Sequence, residues 1–238
     1  MHSNAYTFRF AAMVTIVCSV LLAGAATILK PRQAENEKLD MRKNILISAG
    51  ITPTQGTSFL RTEINSVYEK SIKGFVVDPK GALIEGKKPV DLDPKVDLES
   101  FPIYKYVKGD EVMAYILPIS GKGLWSTIYG YIALSPDCNT VKGITFYKHG
   151  ETPGLGGEIS KEWFTDNFKE KHIFDNSGKM VSINVAKGKY AGEQPQHNVD
   201  GISGSTLTGR GVANFLKTEL EKYNPFFAGI RTQEGGSN

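Results

Sequence analysis

The sequence predicts an α+β protein, with a single N-terminal transmembrane helix followed by one domain in which helices flank an antiparallel sheet. Three observations carry this. The twenty residues from Phe10 to Leu29 hold no charge, two pairs of alternating aromatic and branched runs in the middle of the chain read as hairpins, and helical periodicity lies on either side of them. Helices and hairpins are thus segregated along the chain, unlike the alternation that builds a doubly wound parallel sheet.

At about 1.5 Å per residue, a helix over Phe10–Leu29 covers the roughly 30 Å of a bilayer's hydrocarbon. Ala23-Gly24-Ala25 offers the small residues of a signal-cleavage site, but the apolar run exceeds the roughly 7–15 residues of a signal h-region and reads as a retained anchor. Residues 1–30 are therefore the anchor. Residues 31–56 follow as a membrane-proximal helix and linker, with Leu39, Ile45 and Leu46 in a charged helix that stops at Gly50. Residues 57–238 form the folded domain.

Within it, Phe59–Ile72 places Phe59, Leu60, Ile64, Val67, Tyr68 and Ile72 on one helical face. Residues 81–100, with Pro89, Pro94 and clustered Asp and Lys, form a surface excursion. The runs 103–108 and 112–119 around Gly109-Asp110-Glu111 make one hairpin, and 127–135 and 140–148 around Pro136-Asp137-Cys138-Asn139 make a second. Met180–Lys187 adds a further strand. Helices are expected over Ser160–Lys171 and over Gly211–Tyr223, the latter closing the domain with Val212, Phe215, Leu216, Leu220 and Tyr223 on one face.

Of the 238 residues, 40% are hydrophobic, enough for a sizeable core, and the net charge of +3 comes from 28 basic and 25 acidic residues without a basic block. Nucleic acid is excluded as a partner on that ground. Cys18 lies in the span and Cys138 stands alone in the domain, so the domain has no internal disulfide. His2, His149, His172 and His197 show no metal-ligand spacing with acids or cysteines.

One stretch, DGISGSTLTGRG from Asp200 to Gly211, is too polar for a core and too patterned for a spacer. Its glycines allow close backbone approach, its Ser and Thr supply hydroxyls, and a helix N-terminus presents free amides to an anion. A phosphate site and a plain helix cap both fit. A P-loop is excluded because no lysine lies here, and a nucleophile elbow because Ser205 stands where its last glycine belongs. A dinucleotide fingerprint lacks its parallel βαβ setting.

GKGLWSTIYGYIAL (Gly121–Leu134), HGETPGLGGEI (His149–Ile159) and DGISGSTLT (Asp200–Thr208) occur in that order, with KNILISAGI (Lys43–Ile51) and the apolar span before them. Over nearly the whole chain this arrangement resembles the C-subunit family of the sodium-translocating NADH:quinone oxidoreductases, part of the FMN-binding domain family. The resemblance implies one FMN, attached by a flavin transferase through a phosphoester to the last threonine of a D-x-x-S/T-G-A/S-T motif. That motif is here Asp200, Ser203, Gly204, Ser205 and Thr206, with Ser205 where alanine is commoner.

It also implies that Glu151, Thr152, Gly154 and Leu155 lie near the isoalloxazine ring. Trp125 lines the same pocket or belongs to the core, and Lys122 meets the phosphate or faces water. No catalytic residue of its own and no metal are implied. NADH is oxidised elsewhere in a six-subunit complex, and this FMN relays electrons to the neighbouring B subunit and towards ubiquinone. The other members of the complex, the flavin transferase during maturation and membrane lipid are the partners. The G subunit of an Rnf electron-transport complex, a reversible membrane-anchored FMN-binding module and a purely structural anchor are the alternatives.

On topology the two arguments oppose each other. Arg9 precedes the span, whereas Lys30, Arg32, Lys38, Arg42 and Lys43 follow it, which by the positive-inside rule keeps the domain in the cytoplasm. The resemblance implies a single-pass protein of the inner membrane with its FMN domain on the periplasmic side.

Overall fold

The computed structural model describes residues 3–54, 56, 58–93, 96–188 and 194–235. By internal contacts the chain divides into two compact units, Met1–Met41 and Arg42–Asn238. The first consists of most of helix α1 (Asn4–Ser48), whose apolar part has a mean hydropathy of 2.3 and is long enough to cross a membrane. The helix runs on without a break past Pro31, although proline removes one i→i−4 bond there. The membrane-proximal helix continues the anchor helix within α1. It ends with Gly50 at φ +76°, a conformation that glycine adopts without a side-chain penalty.

The last turns of α1 belong to the second unit. There Arg42 donates to Asn65 Oδ1 at 2.6 Å and to Glu69 Oε1 at 3.2 Å, both on α2 (Arg61–Ser71). Strand β1 (Ile72–Val77) follows α2 directly, and the sheet continues through β2 (Phe101–Lys108), β3 (Glu111–Lys122), β4 (Thr127–Leu134) and β5 (Val141–Lys148). The order is β1-β2-β3-β4-β5, antiparallel throughout, so the two expected hairpins are consecutive parts of one meander.

Period-two alternation gives this sheet two buried faces. Ile128, Ile132 and Leu134 of β4 join Phe146 of β5 in the main core, while Tyr131 faces the other way and stacks on Tyr147 with ring centroids 5.6 Å apart. On the main-core side lie a short helix α3 (Glu162–Thr165), α4 (Thr206–Lys222) and α5 (Asn224–Gly235), which bring Phe164, Phe215, Leu216, Leu220 and Phe227. Burying such a side chain contributes roughly 1.5–3 kcal/mol each. The frame is thus held by its own core.

Four expectations need correction. Ile72, expected as the last residue of a helix, instead opens the edge strand β1. The helix expected over Ser160–Lys171 is cut to α3 and a single 3₁₀ turn, Asp166–Phe168. Met180–Lys187 contributes only β6 (Asn184–Val185), which pairs in parallel with β7 (Asn198–Val199) outside the main sheet. The final helix begins at Thr206, five residues earlier than its periodicity suggests, and α5 follows it.

Candidate functional site

Three segments meet where β3 ends: the β3–β4 connection, the loop after β5, and the start of α4. Glu151 is the joint between them. Its side chain is buried, and Oε1 accepts the N–H of Trp125 at 2.9 Å and of Ser126 at 3.2 Å. Oε2 accepts the N–H of Leu124 at 3.2 Å and the Thr208 hydroxyl at 2.7 Å. The Ser126 hydroxyl oxygen in turn accepts the Gly150 N–H at 2.6 Å, a second tie between the same two loops.

Two glycines make room for this carboxylate. A Cβ at Gly123 would lie 2.6 Å from Glu151 Oε1, and one at Gly156 would lie 2.5 Å from Thr208 Oγ1. Burial opposes the charge on Glu151, but the hydrogen bonds from Thr208, Trp125, Ser126 and Leu124 outweigh it and hold the carboxyl below the usual range. Hydrogen bonds to a charged group contribute roughly 1.5–3 kcal/mol each, so four of them can match a desolvation penalty of several kcal/mol.

At the start of α4, Thr206 is the first helical residue and Ser205 the cap. The first-turn amides have no helical carbonyl to bond. Ser205 makes no side-chain cap bond, and its Oγ is buried without a partner. A buried polar atom left so costs stability unless a ligand or water completes it. Gly204, at φ +75°, turns the chain into the helix so tightly that a Cβ on it would come within 3.0 Å of Leu155 Cδ2. The Leu155 loop and the Asp200–Thr206 motif are thereby side by side.

The three hydroxyls of Ser205-Thr206-Leu207-Thr208 are not equivalent. Ser205 is buried, Thr208 is buried and donates to Glu151, and Thr206 is partly open to solvent. Beside them an open groove of about 670 Å³ runs between the end of β3 and α4, lined among others by Lys122, Leu124, Leu207 and Arg210. Helix and strand approach closely here, since a Cβ at Gly211 would meet the Lys122 carbonyl oxygen at 2.6 Å. Arg210 lies four residues beyond Thr206 and so on the same helical face.

The residues singled out by sequence fall around this arrangement. Thr152 turns its carbonyl to the N–H groups of Leu155 at 3.1 Å and Gly157 at 2.9 Å, and Gly154 donates to Glu158 Oε1 at 3.2 Å. Leu155 and Ser203 are exposed, and Asp200 is half-buried. Trp125 is 72% exposed, which rules out a core role, and Lys122 is an exposed wall of the groove. Sequence reasoning counts Thr208 among the hydroxyls of the stretch without its tie to Glu151 and misses Gly123, Gly156, Leu207 and Arg210. Thr208 and Arg210 sit at positions three and five of α4, and starting that helix at Thr206 is the signal that exposes both.

Comparison with known proteins agrees with this geometry. The FMN-binding domain family matches residues 123–221, which takes in all three converging segments. The chain is 37% identical to the C subunit of the Na(+)-translocating NADH-quinone reductase of Pasteurella multocida, over 92% of this chain and 91% of that one. It is 39% identical to the protein of that name from Neisseria meningitidis serogroup A, over 84% and 83%. Among solved structures, the corresponding C subunit from Parabacteroides distasonis superposes with a TM-score of 0.74 at 35% identity, covering 84% of this chain and 96% of the other. NqrC of Shewanella oneidensis gives 0.71 at 30% identity, covering 83% and 99%.

Proposed function

The chain belongs to the NqrC family, the C subunits of the Na(+)-translocating NADH-quinone reductases, and on that premise we propose that it is the membrane-anchored electron carrier of such a complex, holding one FMN through a phosphoester on Thr206. The observation that carries this is the start of α4. The half-exposed Thr206 stands there beside first-turn amides and the unpartnered Ser205 Oγ, a set suited to a phosphodiester that keeps its negative charge.

FMN, when bound, supplies one-electron and two-electron redox chemistry. The protein's residues do the rest. Lys122 and Arg210 place positive charge along the groove beside Thr206, and the exposed side chains of Leu124, Trp125, Leu155 and Leu207 offer apolar surface to a flat ring. Asp200 and Ser203 belong to the segment read by the flavin transferase. The carrier relays electrons to the B subunit and on towards quinone, with its domain on the periplasmic side of the inner membrane. Long domains translocate largely regardless of flanking charge, so the basic residues after Leu29 do not forbid this.

Flavin fluorescence in a denaturing gel tests the reading, using protein from cells that possess the flavin transferase. A covalent flavin stays with the band. Loss of all flavin on denaturation would replace the proposal with a reversible binding module.

A further inference from the structure

The carboxylate of Glu151 is buried in the joint of the site, and none of the ion pairs among the described residues involves it. Its charge is balanced by dipoles instead, three backbone N–H groups from one loop and one hydroxyl from α4. An aliphatic side chain would fill the space with no desolvation penalty. What a carboxylate adds is direction, because a single group reaches two chain segments at once, and an uncancelled negative charge.

We propose that Glu151 is a positioning residue for the flavin: it locks the Leu124–Ser126 loop to the first turn of α4, and its fixed charge makes the bound flavin harder to reduce. This rests on the reading that the site holds flavin. Both effects follow from the same four bonds. Without them Leu124 and Trp125 lose their hydrogen-bonded link to the helix that carries Thr206, and an electron added nearby is disfavoured by a negative charge in a low-dielectric joint.

Two variants separate the effects. In Glu151→Gln, the amide oxygen can still accept from Trp125 and Ser126. The amide nitrogen can donate to Thr208 Oγ1, while the Leu124 N–H and the Thr208 hydroxyl hydrogen lose the acceptor that Oε2 gave them. Glutamine therefore keeps the lock and removes the charge. Glu151→Ala removes both.

The test uses the full chain with Trp163→Phe, which leaves Trp125 as its single tryptophan. Three quantities are measured: Trp125 fluorescence anisotropy in flavin-free protein, flavin loading by intact mass, and the midpoint potential of the loaded protein. In the alanine variant anisotropy should fall and loading should drop on the order of tenfold, the scale of one lost hydrogen bond to a charged group. The glutamine variant should keep anisotropy and loading near the parent's and show a more positive potential. Parental anisotropy and loading in the alanine variant, or a parental potential in the glutamine variant, would overturn the proposal. If the alanine variant does not fold, the anisotropy and potential of the glutamine variant decide. Should the parent itself carry no covalent flavin, the attachment reading fails, while anisotropy of flavin-free protein still tests the lock.

Discussion

Thr208 and Glu151, 57 residues apart in the chain, meet at 2.7 Å, and that bond takes one of the motif's hydroxyls out of contention as an acceptor. Ser205 is removed by burial. Thr206→Ala or Thr206→Val should therefore abolish flavin attachment, and Thr206→Ser should retain part of it. Peptide mass spectrometry locates the flavin. An adduct on Ser205 or Thr208 in the alanine variant would refute the assignment.

Asp200 precedes the motif at a half-buried position. A plain turn-capping aspartate would show its loss in stability. We predict instead that Asp200→Ala melts within a few degrees of the parent, roughly the shift of 1 kcal/mol or less in a domain of this size, yet carries little or no flavin. An unfolded or strongly destabilised variant with normal loading per folded molecule would return Asp200 to a capping role.

The pH dependence of stability follows from Glu151. Its folded value is depressed below the unfolded value of about 4.3, so the folded state binds this proton less readily than the unfolded chain does. Its contribution is present above the unfolded value and is lost as pH falls through the folded one. Melting curves of the parent and Glu151→Gln should lie apart at pH 7 and draw together below about pH 4. A constant gap across that range would contradict an ionised Glu151.

Gly121 lets α4 sit against β3, since a Cβ there would fall 2.1 Å from Phe215 Cβ. Gly121→Ala should cost about 1–3 kcal/mol or more by overpacking. Urea unfolding measures it. Because the displaced helix carries Thr206, flavin loading should fall as well, and a variant of parental stability would show that α4 tolerates the shift.

For topology, a C-terminal alkaline phosphatase fusion should be active, because that enzyme forms its disulfides only outside the cytoplasm. Cys138 cannot serve as a second reporter, since it is fully buried. The exposed Asn176, replaced as Asn176→Cys, should instead react with a membrane-impermeant thiol reagent in cells with a permeable outer membrane. A silent fusion and an unreactive cysteine would put the domain in the cytoplasm.

The meander was legible in sequence because its strands alternate strongly and its turns carry Gly109 and Asp137. Strand β1 was not, since Ile72 also fits the apolar face of α2 and no turn residue separates the two elements. Gly209 reads as a turn residue ahead of the expected helix, yet it lies inside α4 with Gly211, where tertiary contact overrides their weak helix propensity. A Cβ at Gly209 would come within 2.9 Å of Val185. Pro225 sits in the first turn of α5, where its missing N–H is harmless. The three loops of the site were each visible as motifs. The inward turn of Glu151 was not, because its partners lie 25 to 27 and 57 residues away.

The up-and-down order of the sheet also bears on how the site comes into being. From β3 onward each strand pairs with the one before it across a short connection, so little entropy is lost at each closure and the sheet can grow by local steps. Helix α4 returns to β3 only after some eighty intervening residues, a span that makes its docking a late, non-local event. On the proposed attachment at Thr206, a nascent chain released before residue 206 would hold every strand of the meander and no acceptor, so that attachment would report on completed folding.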